Sequence, residues 1–218
     1  MKTLIIILLT VGTLHSQTFH VNELADGHPM RETRIKQIED RAFFYLNVYR
    51  KEKGLHEIKK DTSFYKMAKD HANYLESRGK IHYKYNDINT FYLSHDRGYK
   101  VNGITILTYN EHTEYYGINP AENCGIVLVF KDSIDVNIIA FQAITTWKNS
   151  HLHNLNMIGS SNYGAISASY VNVNYKRKNV NNPMISETVN RKMFYFVLTI
   201  GEYWNKNEYL HEGKKYTK

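Results

Sequence analysis

Three short polar motifs, far apart in the chain, contain residue types that bind metals or exchange protons. They are Ser94-His95, Glu122-Asn123 and Trp147-x-x-Ser150-x-x-His153-x-x-Asn156. Imidazole and carboxylate groups together ligate divalent metals or transfer protons near neutral pH. We therefore predict that folding brings His95, Glu122 and His153 into one polar site.

Two helices are predicted ahead of these motifs, because apolar residues recur there at three- and four-residue steps. The apolar stripes consist of Ile35, Ile38, Ala42, Tyr45, Leu46 and Tyr49, and of Phe64, Met67, Ala68, His71, Ala72 and Leu75. Gly54 is expected to end the first helix and Gly79 the second, which begins near the capping residues Asp61–Ser63. His71 lies on an apolar stripe, so we expect it to be a core histidine.

A third helix is predicted from Asp135 to the region of His151–Asn154. Its apolar stripe is Val136, Ile139, Ala140, Ala143, Ile144 and Trp147. This spacing favours core packing for Trp147, with ligand stacking as the alternative. Because a helix turns by about 100° per residue, His151 diverges from His153 and is expected to be exposed.

Two strands are predicted in the last third of the chain, at Tyr163–Val173 and at Met193–Ile200, the second of them central and buried. The Asn-rich basic stretch between them is too long for a tight turn and predicts a mobile loop. The segment Lys80–Tyr116 is expected to be irregular, with a short strand at Ile104–Thr108. Helices first and strands late indicate an α+β layer fold.

The N-terminus is typical of a secretory signal, since Lys2 precedes the apolar run Leu4–Val11, which is too short to span a bilayer. The predicted divisions are a signal peptide at 1–16, an N-terminal arm or linker at 17–38, the folded domain at 39–204 and a basic tail at 205–218. The predicted location is secreted or periplasmic. No integral membrane segment is expected after signal cleavage.

The formal net charge of +7 favours anionic partners such as envelope polymers or lipid head groups. Basic residues cluster at Lys176-Arg177-Lys178, where a solvated loop is expected. No nucleic-acid-binding signature occurs, so nucleic acid is not an expected partner. Cys124 is the single cysteine and excludes an internal disulfide. We expect it to be a small buried residue, with a reactive thiol or an intermolecular bridge as alternatives.

The order of the motifs resembles that of the CAP superfamily, which covers cysteine-rich secretory proteins, insect venom antigens and plant pathogenesis-related class 1 proteins. The helical region contributes Leu46-Asn47-Val48-Tyr49-Arg50-x-x-x-Gly54-Leu55, Asp61 and Ala68-x-x-His71-Ala72. The bacterial branch is the better match, because it carries the Ser-His, Glu-Asn and Trp-x-x-Ser-x-x-His-x-x-Asn motifs in this order. The resemblance extends from about Asp40 to Ile200.

The resemblance implies an α-β-α sandwich with a small antiparallel sheet between helical layers. It also implies a cleft in which His95 and His153 are the two histidines and Glu122 is one acid. Ser150 stands where animal and plant members place a second glutamate, so any metal site lacks one carboxylate. His95 and His153 are then candidate ligands for a weakly held zinc or magnesium ion. Ser150 and Asn156 are expected to support them.

Three functions are compatible with these residues, and we rank them in order. The first is a module that binds a small ligand, lipid, peptide, envelope polymer or weakly held divalent metal. The second is a metal-assisted hydrolase in which His95 or His153 is the general base and Glu122 orients it, with Cys124 as a less favoured nucleophile. The third is an adhesive or matrix protein whose cleft is vestigial. A purely structural role for His95, Glu122 and His153 is a further alternative.

Overall fold

A computed structural model of the chain describes residues 17–85, 93–178, 184 and 186–203, without the side chains of 82–85, 175–178 and 186–189. Some sequence predictions lie outside the described residues. They concern the signal peptide 1–16, the basic tail 205–218 and the part of the predicted loop at Asn181-Asn182-Pro183.

Helices and strands are interspersed along the described chain. The helices are α1 (Arg31–Glu52), α2 (Thr62–Tyr85), α3 (Tyr109–Tyr116), α4 (Val136–Lys148) and α5 (His151–Ile158), with a short 3-10 helix at Val21–Leu24. The strands are β1 (Thr18–His20), β2 (Lys59–Lys60), β3 (Tyr99–Val101), β4 (Ile104–Ile106), β5 (Ile118–Val129), β6 (Ser133–Asp135), β7 (Tyr163–Lys178) and β8 (Ser186–Tyr203). None of the described helices combines the length and the hydrophobicity needed to cross a bilayer.

The central sheet has the strand order β2-β7-β8-β5. Strands β7, β8 and β5 pair antiparallel, and β2 adds two parallel residues at the edge of β7. The residues Met193–Ile200 of β8 are fully buried, which confirms the prediction of a central strand. Because β5 ends the sheet, one of its edges is left unpaired by any described strand.

Alternating residues of β8 belong to two separate cores. Phe194 and Phe196 pack in the core that contains inward residues of α1 and α4. Tyr195 and Val197 pack in the core that contains Ala72 and its neighbours on α2. Successive side chains of a strand point to opposite faces, so α1, α4 and α5 cover one face and α2 and α3 the other. The predicted α-β-α sandwich is confirmed.

The predicted N-terminal linker at 17–38 is a packed part of the domain. Strand β1 pairs with β6, and Phe19, Val21 and Leu24 are buried. Helix α1 begins inside this segment at Arg31 and ends, as predicted, just before Gly54, which has a left-handed φ of 73°.

Gly79 does not end the second helix, which continues through it to Tyr85. A Cβ atom at Gly79 would lie 2.3 Å from the Tyr195 hydroxyl oxygen. Since Tyr195 is fully buried in the sheet, the glycine lets α2 approach β8 closely. Asp61 caps the start of this helix as predicted, accepting hydrogen bonds from the N–H groups of Ser63 and Phe64.

The third predicted helix is two helices separated by Asn149 and Ser150. Asp135 caps α4 as expected, and Trp147 is fully buried in its last turn. The chain is extended at Ser150 (φ −100°, ψ 121°), which interrupts the helix, and α5 then starts at His151. The helix end predicted at His151–Asn154 is therefore wrong, whereas His151 is exposed as predicted.

The mobile loop predicted between the last two strands is wrong for most of its length. Strands β7 and β8 continue to Lys178 and Ser186, which pair with each other. The asparagines contribute to this ribbon, since the Asn190 amide donates to Asn172 at 2.8 Å and to Asn174 at 2.7 Å. The basic run that starts at Lys176 therefore lies in a strand.

We expect Gly79→Ala to destabilise the protein by about 1–2 kcal/mol. Overpacking a core by one methyl group typically costs about 1–3 kcal/mol, and the gain of up to about 1 kcal/mol in helix propensity offsets only part of it. Urea denaturation followed by circular dichroism measures the difference. Asn73→Ala, at an exposed position of the same helix, is the matched control. An unchanged midpoint for Gly79→Ala would show that α2 and β8 separate at little cost.

Candidate functional site

Strand β5 supplies the centre of the site and directs its residues to both faces of the sheet. Glu122 pairs with Thr199 and Cys124 with Val197, on the α2 face. Asn123 lies between them and points to the opposite face, where its amide donates to the carbonyl of His153 on α5 at 2.9 Å. Since β5 is the edge strand, groups from both faces can meet around it.

Arg97 is buried beneath the site and was not predicted. Its Nη2 donates to Glu122 Oε2 at 2.6 Å, and its Nη1 donates to the carbonyl of His95 at 2.7 Å. Its Nε donates to His112 Nδ1 at 3.1 Å. One guanidinium therefore connects the 93–98 segment to β5 and to α3.

Glu122 is almost fully buried and ionised. Burial raises the pKa of its carboxyl, but the hydrogen bond from His95 and the charges of His71 and Arg97 outweigh burial and lower the pKa to about 2. Because His71 is uncharged at neutral pH, Arg97 supplies the positive charge that matters there.

His95 is the exposed member of the site, with 57% of its side chain accessible. Its Nδ1 lies 2.9 Å from Glu122 Oε1. An ionised carboxylate only accepts hydrogen bonds, so Nδ1 carries the proton and Nε2 of the neutral ring keeps a lone pair. This is the arrangement in which a carboxylate fixes the tautomer of a metal-binding or proton-accepting histidine.

His71 belongs to the site, although the sequence favoured a core role. It is fully buried, and its Nε2 donates to the Ser94 carbonyl at 2.9 Å and lies 3.7 Å from Glu122 Oε1. Burial is the main cause that lowers the pKa of this imidazole to about 4; the Glu122 charge opposes it, and the nearby Arg97 adds a smaller lowering effect. It is therefore neutral at physiological pH and positions the 93–98 segment against α2.

Cys124 is buried as predicted, with its Sγ 3.6 Å from Glu122 Oε1 and 3.7 Å from His95 Nδ1. Burial and the adjacent Glu122 carboxylate raise the pKa of the thiol well above its usual value. A protonated thiol is a poor nucleophile, so the geometry counts against the thiol route to hydrolysis.

His153 approaches the same edge of the sheet from α5. Its side chain is half-buried, and its Nδ1 has no hydrogen-bond partner among the described residues. Burial and, secondarily, the charge of His95 lower the pKa of His153. The His153 carbonyl accepts from Asn123, the neighbour of Glu122, so α5 packs against the strand that carries Glu122.

Asn156 has a defined supporting contact, whereas Ser150 has none through its side chain. The Asn156 amide donates to Asn123 Oδ1 at 2.7 Å and completes a bridge between α5 and β5. Ser150 precedes α5 without a side-chain cap, and its described hydrogen bonds are made by its backbone: its N–H donates to the Trp147 carbonyl at 3.1 Å, and its carbonyl accepts from the Asn154 N–H at 2.8 Å. Supporting roles for both residues in ligand binding stay predictions.

A second layer of polar residues surrounds His112, which the sequence did not reveal. Its Nδ1 accepts the hydrogen bond from Arg97 and lies 3.0 Å from the Tyr99 hydroxyl, and its Nε2 lies 3.5 Å from Asp70 Oδ2. The Tyr116 hydroxyl also donates to Asp70. The capping box Thr108-x-x-Glu111 is the sequence signal that marks α3 and would have placed His112 on a helix.

The predicted metal ligands differ from the group that the described residues bring closest together. His71, Glu122 and Cys124 have ligand atoms within 4.8 Å of one another. Arg97 already neutralises Glu122, the thiol is protonated and His71 Nε2 donates to a carbonyl, so this buried trio does not fit a cation. His95 Nε2 and the His153 imidazole suit a metal better, because neither is bonded to a competing cation.

We expect Arg97→Met to destabilise the protein by roughly 3 kcal/mol or more, because it leaves the Glu122 charge buried without its cation. The double variant Arg97→Met/Glu122→Gln should recover part of this loss. Free energies of unfolding for both single variants and the double variant give the coupling energy. Additive effects in this cycle would contradict the ion pair.

We expect stability to fall as the pH drops from 6.5 towards 4. His71 stays neutral in the folded protein down to a pKa of about 4, whereas the unfolded chain protonates it near its ordinary value of 6.5. The unfolded state then binds more protons between these values, so the contribution is fully present above pH 6.5 and is lost on acidification. Urea denaturation of the wild type and His71→Gln over this range is the measurement. Equal slopes for the two proteins would refute the assignment to His71.

Comparison with known proteins identifies the family of this chain. No curated protein matches the chain with statistical significance. An outer surface protein from Borrelia burgdorferi is 15% identical, with a TM-score of 0.42 over 86% of this chain and 98% of the other. An extracellular protein containing an SCP domain from Bacillus anthracis is 15% identical, with a TM-score of 0.47 over 80% of this chain and 44% of the other.

The sequence profile that matches is that of CAP, the cysteine-rich secretory protein family, over residues 43–197. This span includes all three polar motifs and the helices and strands that position them. The chain belongs to the CAP family of cysteine-rich secretory proteins.

Proposed function

We propose that this chain is an exported binding protein whose ligand site is formed by the imidazoles of His95 and His153. The observation that carries the proposal is the contact of Glu122 with His95 Nδ1, which leaves the Nε2 lone pair available on an exposed ring. An imidazole that is oriented in this way at an open surface can accept a cation or a ligand N–H or O–H group through its Nε2 lone pair.

A binding role fits the electrostatics of Glu122 better than an acid–base role does. With a pKa of about 2 and a 2.6 Å ion pair to Arg97, its carboxylate neither gives nor takes a proton near neutral pH. Hydrolysis would therefore depend on His95 or His153 alone. We rank binding above metal-assisted hydrolysis and above a vestigial cleft for this reason.

A weakly held divalent cation is the simplest ligand for two imidazoles, and zinc suits nitrogen ligands better than magnesium does. When bound, such an ion would supply Lewis acidity and a coordination position for a partner. Ser150 in place of a second carboxylate and the engagement of Glu122 by Arg97 keep the protein's contribution to two neutral nitrogens. We therefore expect weak binding.

Export is part of the proposal and rests on the signal-like segment Lys2–Ser16. The net charge of +7 favours an anionic small molecule or envelope polymer as the physiological partner.

Calorimetric titration with zinc at pH 7.5 tests the proposal. We expect one-to-one binding by the wild type that is lost in His95→Ala/His153→Ala, because these rings supply both nitrogens. His151→Ala is the matched control, since this exposed histidine lies two residues from His153 on the same helix. A parallel titration with magnesium should show weaker binding than the titration with zinc.

Two results would contradict the proposed cation site. One is an absence of saturable zinc binding by the wild type, and the other is an equal loss of binding in His151→Ala. Thermal unfolding of each variant in the absence of metal separates loss of ligands from loss of fold.

A further inference from the structure

The outer surface of α1 and α4 exposes a continuous group of large apolar side chains. Phe44 is 47% exposed, Ile138 55% and Phe141 58%, with Val48 at 38%. The Tyr45 ring joins the two helices, with its centroid 5.6 Å from that of Phe44 and 5.7 Å from that of Phe141. We call these five residues the aromatic face.

The core of the domain does not account for the aromatic face. The inward residues of the same helices, such as Ala42, Leu46 and Ala143, already fill the space above the sheet and are fully or almost fully buried. Exposing several neighbouring aromatic and β-branched side chains to water is unfavourable, and such contiguous patches mark interaction surfaces.

Cations surround the aromatic face. The Arg41 guanidinium lies 5.5 Å from the Phe44 ring centroid, and the Lys148 and Lys53 ammonium groups lie 4.6 Å and 5.6 Å from that of Tyr49. The sequences of α4 and α5 contain no acidic residue. Lys51 is exposed and follows Val48 by one turn of α1. Asp40, one turn before Phe44, is paired with Lys36 and Lys60, and Glu52 is outnumbered, so the rim has a net positive charge.

The charge and shape of this surface favour a lipid interface over a second copy of the chain as its binding partner. A second copy docked by two-fold symmetry would bring the same cations together, which is repulsive. The cationic side chains place their stems over aromatic rings while their charged ends reach outward, as side chains do at a lipid interface. Two adjacent helices with projecting rings can insert into head groups without a matching pocket.

We propose that the aromatic face docks this protein on an anionic phospholipid surface. The apolar rings enter the head-group region, and the surrounding Arg41, Lys51, Lys53 and Lys148 contact lipid phosphates. The aromatic face and its cations include neither His95 nor His153, so variants of the two surfaces test docking and ligand binding separately.

Cosedimentation of the full chain with phosphatidylcholine vesicles, with and without phosphatidylglycerol, tests this proposal. We expect wild-type partitioning to be stronger onto the anionic vesicles and to weaken with added salt. Phe44→Ser/Phe141→Ser and Lys51→Glu/Lys148→Glu should each lower the partition coefficient about tenfold or more. All variants have the same N- and C-terminal segments, so differences in their partition coefficients arise from the substitutions in the aromatic face and its rim.

Matched controls come from the opposite helical layer. Ile104→Ser/Leu107→Ser removes two exposed apolar side chains, 53% and 61% accessible, and Lys66→Glu/Lys100→Glu reverses two exposed charges there. These controls should partition as the wild type does. Thermal unfolding should show that all four double variants remain folded.

Three results would overturn the proposal. They are equal partitioning of the wild type and both face variants, equal losses in the control variants, and a wild-type preference for uncharged vesicles. Light scattering adds a fourth. A dimeric wild type that becomes monomeric in Phe44→Ser/Phe141→Ser without any vesicle binding would assign the face to a second copy.

Discussion

The buried ion pair between Arg97 and Glu122 is the interaction on which the candidate site depends. Removing two charges from water is costly, and their mutual attraction compensates only when further hydrogen bonds satisfy both groups. Here His95 and His112 provide those bonds. The pair therefore holds an irregular segment, a helix and an edge strand in one arrangement, and the position of the exposed His95 ring follows from it.

The location of the site at the sheet edge explains how residues from opposite helical layers can cooperate. Glu122 and Asn123 are adjacent in sequence but point to opposite faces of β5, one toward Arg97 and the other toward α5. An interior strand would have kept these environments apart. The break between α4 and α5 at Ser150 turns the His153 helix toward this edge, while Trp147 anchors the preceding helix in the core.

Helices with one buried face were predictable from sequence because their period is local, and α1 followed the expected boundaries closely. Strand β5 was not predicted, since Pro120, Glu122 and Asn123 interrupt any apolar alternation in a segment that serves the site. Gly79 was misread because its role, a close approach to Tyr195, is a long-range contact that no local pattern records. The resemblance indicated His95, Glu122 and His153; the structure pairs His95 with Glu122 and packs the helix of His153 against β5, and their role in a ligand site stays a prediction. The role of Arg97 was not predicted, because a buried guanidinium can be recognised only from its partners, and these lie on other elements.

The order of the strands in the sheet affects when the protein can fold during its synthesis. Strand β8, at residues Ser186–Tyr203, is the last described strand along the chain, yet it lies between β7 and β5. During synthesis β5 is complete some sixty residues before β8, its partner among the described strands, emerges, so the sheet and the environment of Glu122 cannot form until then. A nascent chain whose folding is delayed in this way stays unfolded, which is the state that passage through a translocation channel requires.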